Sequence, residues 1–329
     1  KKVLPQLSLY KIKELVGVDL YEEFFEKRCV PSKMDYMMKT RTLGGDFRIT
    51  NVQFWLGNEI YNVDTGKYEN VHPEAQFYNC DISKLTPGSA LYEGLKDKFE
   101  GTDVVFHLAA LARVQPSIED PVSFNDVNIN GTLNILLVAK DIGAKRVVYS
   151  ASSSAYGETD IIPTPESAPT NPLSPYGLQK YVGEQYCKMF SEVYGLDTVS
   201  LRYFNIYGER MNLEGAYCLV MGIFAKQMLE GKPLTITNDG NQRRDFTYVG
   251  DAVEANILAA TYKDKLNGEV FNIGNGSNYS VNAVADMFGG EKIYGEKRIE
   301  PFETLAQTIK ARNRFGWKPK GDLPSWIKK

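Results

Sequence analysis

The chain has 329 residues, 43% hydrophobic and 24% charged, enough to bury a core in one large α/β unit or two smaller domains. Its net charge of −3 and isoelectric point near 5.7 exclude a global attraction to nucleic acid or an anionic membrane, and fit a small anionic ligand better. No apolar run reaches the ~18 residues of a membrane-spanning helix and the start is mixed polar sequence, so the expected location is the cytoplasm.

Residues 1–43 include a helix-like stretch between 7 and 25 but offer no partner for a sheet, and they are left unassigned. From about residue 58, short β-branched runs alternate with helical stretches, the pattern of a parallel sheet with crossover helices. Strands are expected at 59–63, 76–79, 103–108, 146–151 and 198–203. Helices are expected at 121–142 and 176–194, stopped by Gly143 and Gly195. The fold class that follows is α/β, a doubly wound parallel sheet. Pro/Gly/Asn-rich turns at 231–233, 238–241 and 275–278 predict a smaller second α/β lobe. The expected division is 44–203 plus 247–273 for the sheet domain, and 204–246 plus 274–329 for the lobe.

Cys29, Cys80, Cys187 and Cys218 have no paired spacing and read as free thiols in a reducing compartment. His72 and His107 sit in no cluster of metal-ligand spacing, so no metal site is expected.

Chemistry concentrates in the middle of the chain. Tyr176 and Lys180 are four residues apart, on one face of the expected helix, where a cation favours the phenolate and suits the pair to general-base work on a hydroxyl. With 20 tyrosines in the chain such a pair carries little weight alone. The strand before it, however, ends in a serine cluster at Ser150, Ser152, Ser153 and Ser154, where a doubly wound sheet places its ligands. A serine hydroxyl there shares a hydrogen bond with a reacting oxygen while the tyrosine moves the proton.

Taken with His-Leu-Ala-Ala-Leu-Ala-Arg-Val at 107–114, Asn-Ile-Asn-Gly-Thr at 128–132, Leu-Arg-Tyr-Phe-Asn-Ile-Tyr-Gly at 201–208 and Gln-Arg-Arg-Asp-Phe-Thr-Tyr-Val at 242–249, these motifs, with 298–304, resemble the extended short-chain dehydrogenase/reductase family. The likeness is nearest to the NAD-dependent UDP-hexose 4-epimerases and covers about 57–329. It implies a Rossmann domain binding NAD and a lobe binding a UDP-sugar. It makes Tyr176 the catalytic base, Lys180 the residue that lowers its pKa and holds the nicotinamide ribose, and Ser152 the partner of the sugar hydroxyl. Asp64 would end the strand at the adenosine ribose, Asp81 and Ile82 would flank the adenine, and Leu108, Ala109, Ala110, Asn128, Ser150 and Tyr203 would line the cofactor. Ser153 and Ser154 join Ser152 on the substrate side, with Asn205, Arg244 and Arg298 as ligands of the nucleotide diphosphate. Thr304 takes the position that gates the sugar pocket, and its small side chain leaves room for an N-acetyl group. The family resemblance also implies a homodimer through the helices at 121–142 and 176–194.

The family's Gly-x-x-Gly-x-x-Gly turn is not present. The nearest candidates, Gly44 and Gly45, are adjacent, and Arg48 and Asn51 fall where further glycines would let a pyrophosphate approach. The spacing from Gly44 to Asp64 still suits a shortened or altered first βα unit. Gln307 stands where the family commonly has an acid. Dehydratases and decarboxylases of the family usually carry an acid where this chain has Ser153, Ser154 and Ala155, which favours reversible hydride transfer. A nucleotide-sugar 4,6-dehydratase or reductase, and a catalytically impaired sugar-nucleotide-binding protein, stay open as alternatives.

Overall fold

The computed structural model describes residues 52–56, 59–64, 76–209, 211, 219–298 and 300–328. Seven strands form one sheet: β1 (Val52–Leu56), β2 (Glu59–Asp64), β3 (Gln76–Asn79), β4 (Val104–His107), β5 (Arg146–Ser152), β6 (Thr198–Tyr203) and β7 (Glu269–Ile273). Their spatial order is β7-β6-β5-β4-β1-β2-β3. Between them run α1 (Ala90–Phe99), α2 (Val114–Glu119), α3 (Pro121–Asn125), α4 (Thr132–Asp141), α5 (Pro175–Tyr194), α6 (Val220–Leu229) and α7 (Val249–Thr261).

The strands alternate between two buried faces. Val104, Phe106, Val148, Val199 and Leu201 share one core with Val253 and Ile257 of α7. Val105, Val147, Tyr149 and Ala151 share another with Ile135 and Leu136 of α4 and Cys187 and Phe190 of α5. Burial on both faces explains why β4 opens on the unbroken apolar run Val104-Val105-Phe106 rather than on an alternating pattern.

Two expectations need correction. The sheet is not wholly parallel: β1, which no strand expectation covered, runs antiparallel to both β2 and β4, pairing Leu56 with Glu59 and Val52 with His107. Two residues, Gly57 and Asn58, separate β1 from β2, a hairpin length and a hairpin composition, so the pair has to be antiparallel. Between Gly44 and Asp64 the described residues form the antiparallel pair β1 and β2, and the rest of the expected first βα unit, with Gly44 and Gly45, lies outside the described residues. The other correction concerns the helix expected at 121–142, which divides into α3, a wider π turn at Asp126–Gly131, and α4. Here Gly131 approaches Ile82 so closely that a Cβ would lie 2.8 Å from Ile82 Cδ1.

Short ribbons build the smaller lobe: Leu234–Ile236 with Lys292–Tyr294, and Arg243–Asp245 with Asn278–Ser280. Phe224 of α6, Ile236, Phe246, Val281 and Val284 form a separate core there. Cys80 and Cys187 are buried free thiols, whereas Cys29, Cys218 and His72 lie outside the described residues. Among the described residues, no helix is long and apolar enough to cross a membrane.

Candidate active site

Ser152 is the last residue of β5, and its Oγ accepts a hydrogen bond from Ser154 N–H at 3.1 Å, turning the chain through Ser153–Ala155. Helix α5 begins beside this turn. Ser174 caps it by accepting from Gly177 N–H at 3.1 Å, Pro175 fits the first turn, and Tyr176 follows. Gly177 is pressed against the turn so tightly that a Cβ would lie 2.6 Å from Ser154 O. Tyr176 N–H also donates to Ser117 Oγ of α2 at 3.1 Å.

The phenol of Tyr176 thereby meets the Ser152 side chain. Burial raises its pKa, and the hydrogen bond with Ser152 acts in the opposite direction. One turn along, Lys180 is buried with Nζ 4.7 Å from the centroid of the Tyr149 ring. Burial pulls its ammonium down to about 8, partly offset by Cys187 and Glu184. Its three donors make no hydrogen bond among the described residues.

Asn128, in the π turn, clamps the loop that follows β4. Its Oδ1 accepts from Leu111 N–H at 2.8 Å, while Nδ2 donates to Leu111 O and to Gln179 Oε1, both at 2.9 Å. Leu108, Ala109 and Ala110 are buried in that loop. Thr132 Oγ1 donates to Asn128 O at 2.7 Å, so it accepts from His107 Nε2 at 2.9 Å. Burial first, then the Lys180 charge, drives the His107 pKa down to about 3, which fixes a neutral ring. Ser150 Oγ is 3.3 Å from Tyr203 Oη, and Asn256 Nδ2 donates to that oxygen at 2.7 Å. Asp64 closes β2, and Asp81 Oδ1 accepts from Ser83 N–H at 2.9 Å, setting the turn that buries Ile82.

A cavity of about 170 Å³ in the smaller lobe brings together Asn205, Arg244 and Arg298, far apart in sequence. Arg244 Nη2 contacts Glu300 Oε2 at 2.6 Å, and Nη1 donates to Arg243 O at 2.8 Å. Asn205 Nδ2 donates to Asp245 O at 2.9 Å and lies 3.5 Å from Thr304 Oγ1. Thr304, Ser152, Ser153, Ser154, Tyr176 and Lys180 are not among the residues that line this cavity. Two charged lining residues, Arg113 and Glu300, were not among the expected site residues. Arg113 follows the carboxyl end of β4 with φ 98°, a left-handed conformation that a non-glycine residue adopts at a cost. An arginine ending an apolar run just past a strand was the available signal. Guanidiniums beside a single carboxylate suit a ligand carrying both anionic oxygens and hydroxyls.

The sequence pattern of the NAD dependent epimerase/dehydratase family matches residues 53–274, more than half of the chain. A UDP-glucose 4-epimerase of Streptococcus mutans is 32% identical over 288 residues, covering 80% of this chain and 85% of that protein. The structure is similar to UDP-glucose 4-epimerase of Thermotoga maritima with UDP-glucose, with TM-score 0.75 and 35% identity, covering 83% of this chain and 89% of that one. It is also similar to UDP-N-acetylglucosamine 4-epimerase of Methanobrevibacter ruminantium in complex with UDP-N-acetylmuramic acid, with TM-score 0.74 and 32% identity, covering 83% and 90%.

Proposed function

Because the chain belongs to the NAD-dependent epimerase/dehydratase family, we propose that it is an isomerase inverting C4 of a UDP-sugar. The observation that carries this reading is the meeting of Tyr176 with Ser152 where β5 ends and α5 begins, one helical turn from Lys180.

In this reading the Tyr176 phenolate removes the proton of the sugar 4-hydroxyl, and Ser152 shares a hydrogen bond with the same oxygen. Lys180 holds the phenolate charge and, with donors that meet no acceptor among the described residues, the hydroxyls of a ribose. NAD, when bound, would supply a reversible acceptor for the C4 hydride, which inversion at C4 requires. Tyr176 then gives its proton back, and no net oxidant is consumed. Lys180, Ser150 and Tyr203 would hold the nicotinamide end, with the Asn128 clamp supporting the loop after β4, and Asp64, Asp81 and Ile82 would hold the adenosine end.

The lobe formed by 204–246 and 274–329 takes the nucleotide, with Arg244 and Arg298 on the diphosphate and Asn205 between lobe and sheet. Small Thr304 beside Asn205 favours acceptance of an N-acetylhexosamine as well as a hexose. The chain works as a homodimer through the segment 121–142, which holds α3 and α4, and through α5, where Val122 is 69% exposed and Leu178, Met189 and Val193 form an exposed apolar stripe at helical spacing.

The test is to incubate the full chain and added NAD with UDP-galactose, and separately with UDP-N-acetylgalactosamine, and to follow the products by NMR. Formation of the 4-epimer, abolished by Tyr176→Phe in a folded variant, is expected. A 4-keto product that accumulates would replace the assignment by a dehydratase, and a Tyr176→Phe variant of near-normal rate would overturn the mechanism.

A further inference from the structure

The turn that presents Ser152 is closed at its far end by Tyr156, whose N–H donates to Ser153 O at 3.0 Å. Past it, Gly157 packs so closely on the neighbouring loop that a Cβ would collide with Asn171 O, so the backbone on that side is pinned. The Tyr156 side chain is buried and gripped on three sides. Its phenol donates to Asn272 Oδ1 of β7 at 2.7 Å, and burial pushes its pKa up to about 12, so the proton it donates stays on it. The Arg202 guanidinium, bound to Glu184 one turn beyond Lys180, lies 4.5 Å from the ring centroid. On the remaining side the ring joins Ala168, Phe204 and Ala306 in a small core of its own.

The three grips lead to three parts of the site. Asn272 Nδ2 donates to Thr164 O at 2.9 Å and to Gln307 O at 3.3 Å, Glu184 belongs to the helix that carries Tyr176 and Lys180, and Phe204 and Ala306 stand beside Asn205 and shortly after Thr304 in the chain. We propose that Tyr156 is a positioning residue, holding the Ser152 hydroxyl at the height from which it meets Tyr176 and the reacting oxygen. The inference rests on the proposed function and extends it to a side chain that acts through Ser152. The nucleotide cavity stands apart from it. Tyr156 is not among the cavity's lining residues, and the strand Arg243–Asp245 holds 302–304 by itself, with Arg243 N–H donating to Phe302 O at 2.7 Å and Thr304 N–H donating to Arg243 O at 3.0 Å. Loss of the phenol oxygen leaves Asn272 Oδ1 buried without its donor and frees the turn to shift. Such a shift costs catalysis more than binding, because only the reacting geometry depends on it.

The experiment is a double-mutant cycle on the full chain with added NAD and whichever of UDP-galactose and UDP-N-acetylgalactosamine the parent inverts, using Tyr156→Phe, Ser152→Ala and both together. Tyr156→Phe keeps the ring and should lower kcat about tenfold, while UDP affinity measured by calorimetry stays within about twofold. Added to Ser152→Ala, the same change should lower kcat by less than about a further twofold, because a residue that acts through Ser152 has nothing left to position. Should Tyr156→Phe fail to fold, Asn272→Leu removes the acceptor from the other side and should give the same loss and the same coupling. Losses that multiply in the double variant would overturn the inference, since Tyr156 would then act on the structure at large. So would unchanged turnover in Tyr156→Phe, or a fall in UDP affinity as large as the fall in kcat. A parent chain that inverts neither UDP-sugar overturns the proposed function and this inference with it, so the parent's own turnover tells the two failures apart.

Discussion

Lys180 Nζ lies over the face of the Tyr149 ring, 4.7 Å from its centroid, and the ring is itself fully buried against α5. A Cβ on Gly183, one turn further along, would collide with the Tyr149 phenol oxygen, so only glycine lets the helix lie this close to β5. The ammonium is therefore held by packing at a fixed height beside the Ser152 and Tyr176 pair.

That placement has a measurable pH signature. Burial lowers the Lys180 pKa from 10.5 to about 8, so between those values the unfolded chain binds a proton that the folded chain does not. Folding stability should accordingly rise with pH across this window, by at most one proton's slope, and show no such term below about 8. Urea titrations of the protein and of Lys180→Met at several pH values check this: the difference between the two should drift in that window and stay flat beneath it. The same variant should lose roughly 10²-fold or more in turnover.

A second prediction concerns the charge pair beneath the site. Arg202 Nε and Nη2 donate to Glu184 Oε1 and Oε2 at 2.8 and 2.7 Å, both side chains are buried, and the guanidinium stacks 4.5 Å from the Tyr156 ring centroid. Glu184→Gln leaves an uncompensated buried cation and should cost about 3–5 kcal/mol. Replacing both residues by apolar ones of similar volume should cost less than that single change. Urea midpoints of the three proteins decide it.

Much of the fold was legible because its signals are local. Runs at 146–152 and 198–203 are short and rich in Val, Leu and Tyr, and Tyr176 and Lys180 keep one helical turn between them whatever surrounds them. The direction of β1 was legible too, in the Gly57-Asn58 spacing, once 52–56 is read as a strand. The π turn at Asp126–Gly131 was not, because it answers to Ile82, more than forty residues away. The cavity's membership was legible in part: Asn205, Arg244 and Arg298 were expected together from the family resemblance, whereas Arg113 joins them only where the lobe meets the sheet domain. Lining residues drawn from separate elements leave no periodicity in the sequence.

Arg113 yields a prediction in which stability and affinity part. At φ 98° its backbone suits glycine, so Arg113→Gly should be more stable than Arg113→Ala by about 1 kcal/mol. Both variants remove the same guanidinium from the cavity and should weaken UDP binding by a similar factor, about tenfold. Thermal unfolding combined with UDP calorimetry on the pair separates the backbone effect from the side-chain effect. Equal stability of the two would show that the left-handed backbone carries no strain.

Arg244 tests whether geometry or charge holds the diphosphate. Its guanidinium is oriented on both sides, with Nη2 on Glu300 at 2.6 Å and Nη1 on the carbonyls of Arg243 and Phe302 at 2.8 and 3.3 Å. A lysine keeps the charge but presents one flexible ammonium, which cannot face Glu300 and two carbonyls while also forking onto phosphate oxygens. Arg244→Lys should therefore lose most of the UDP affinity lost by Arg244→Met, on the order of tenfold or more, although only the methionine variant removes the charge. Ionic strength sharpens the comparison. A purely coulombic contact would let lysine substitute well at low salt and fail progressively as salt screens it. If Arg244→Lys binds UDP as tightly as the parent protein at low ionic strength, charge alone accounts for the contact and the oriented fork plays no part.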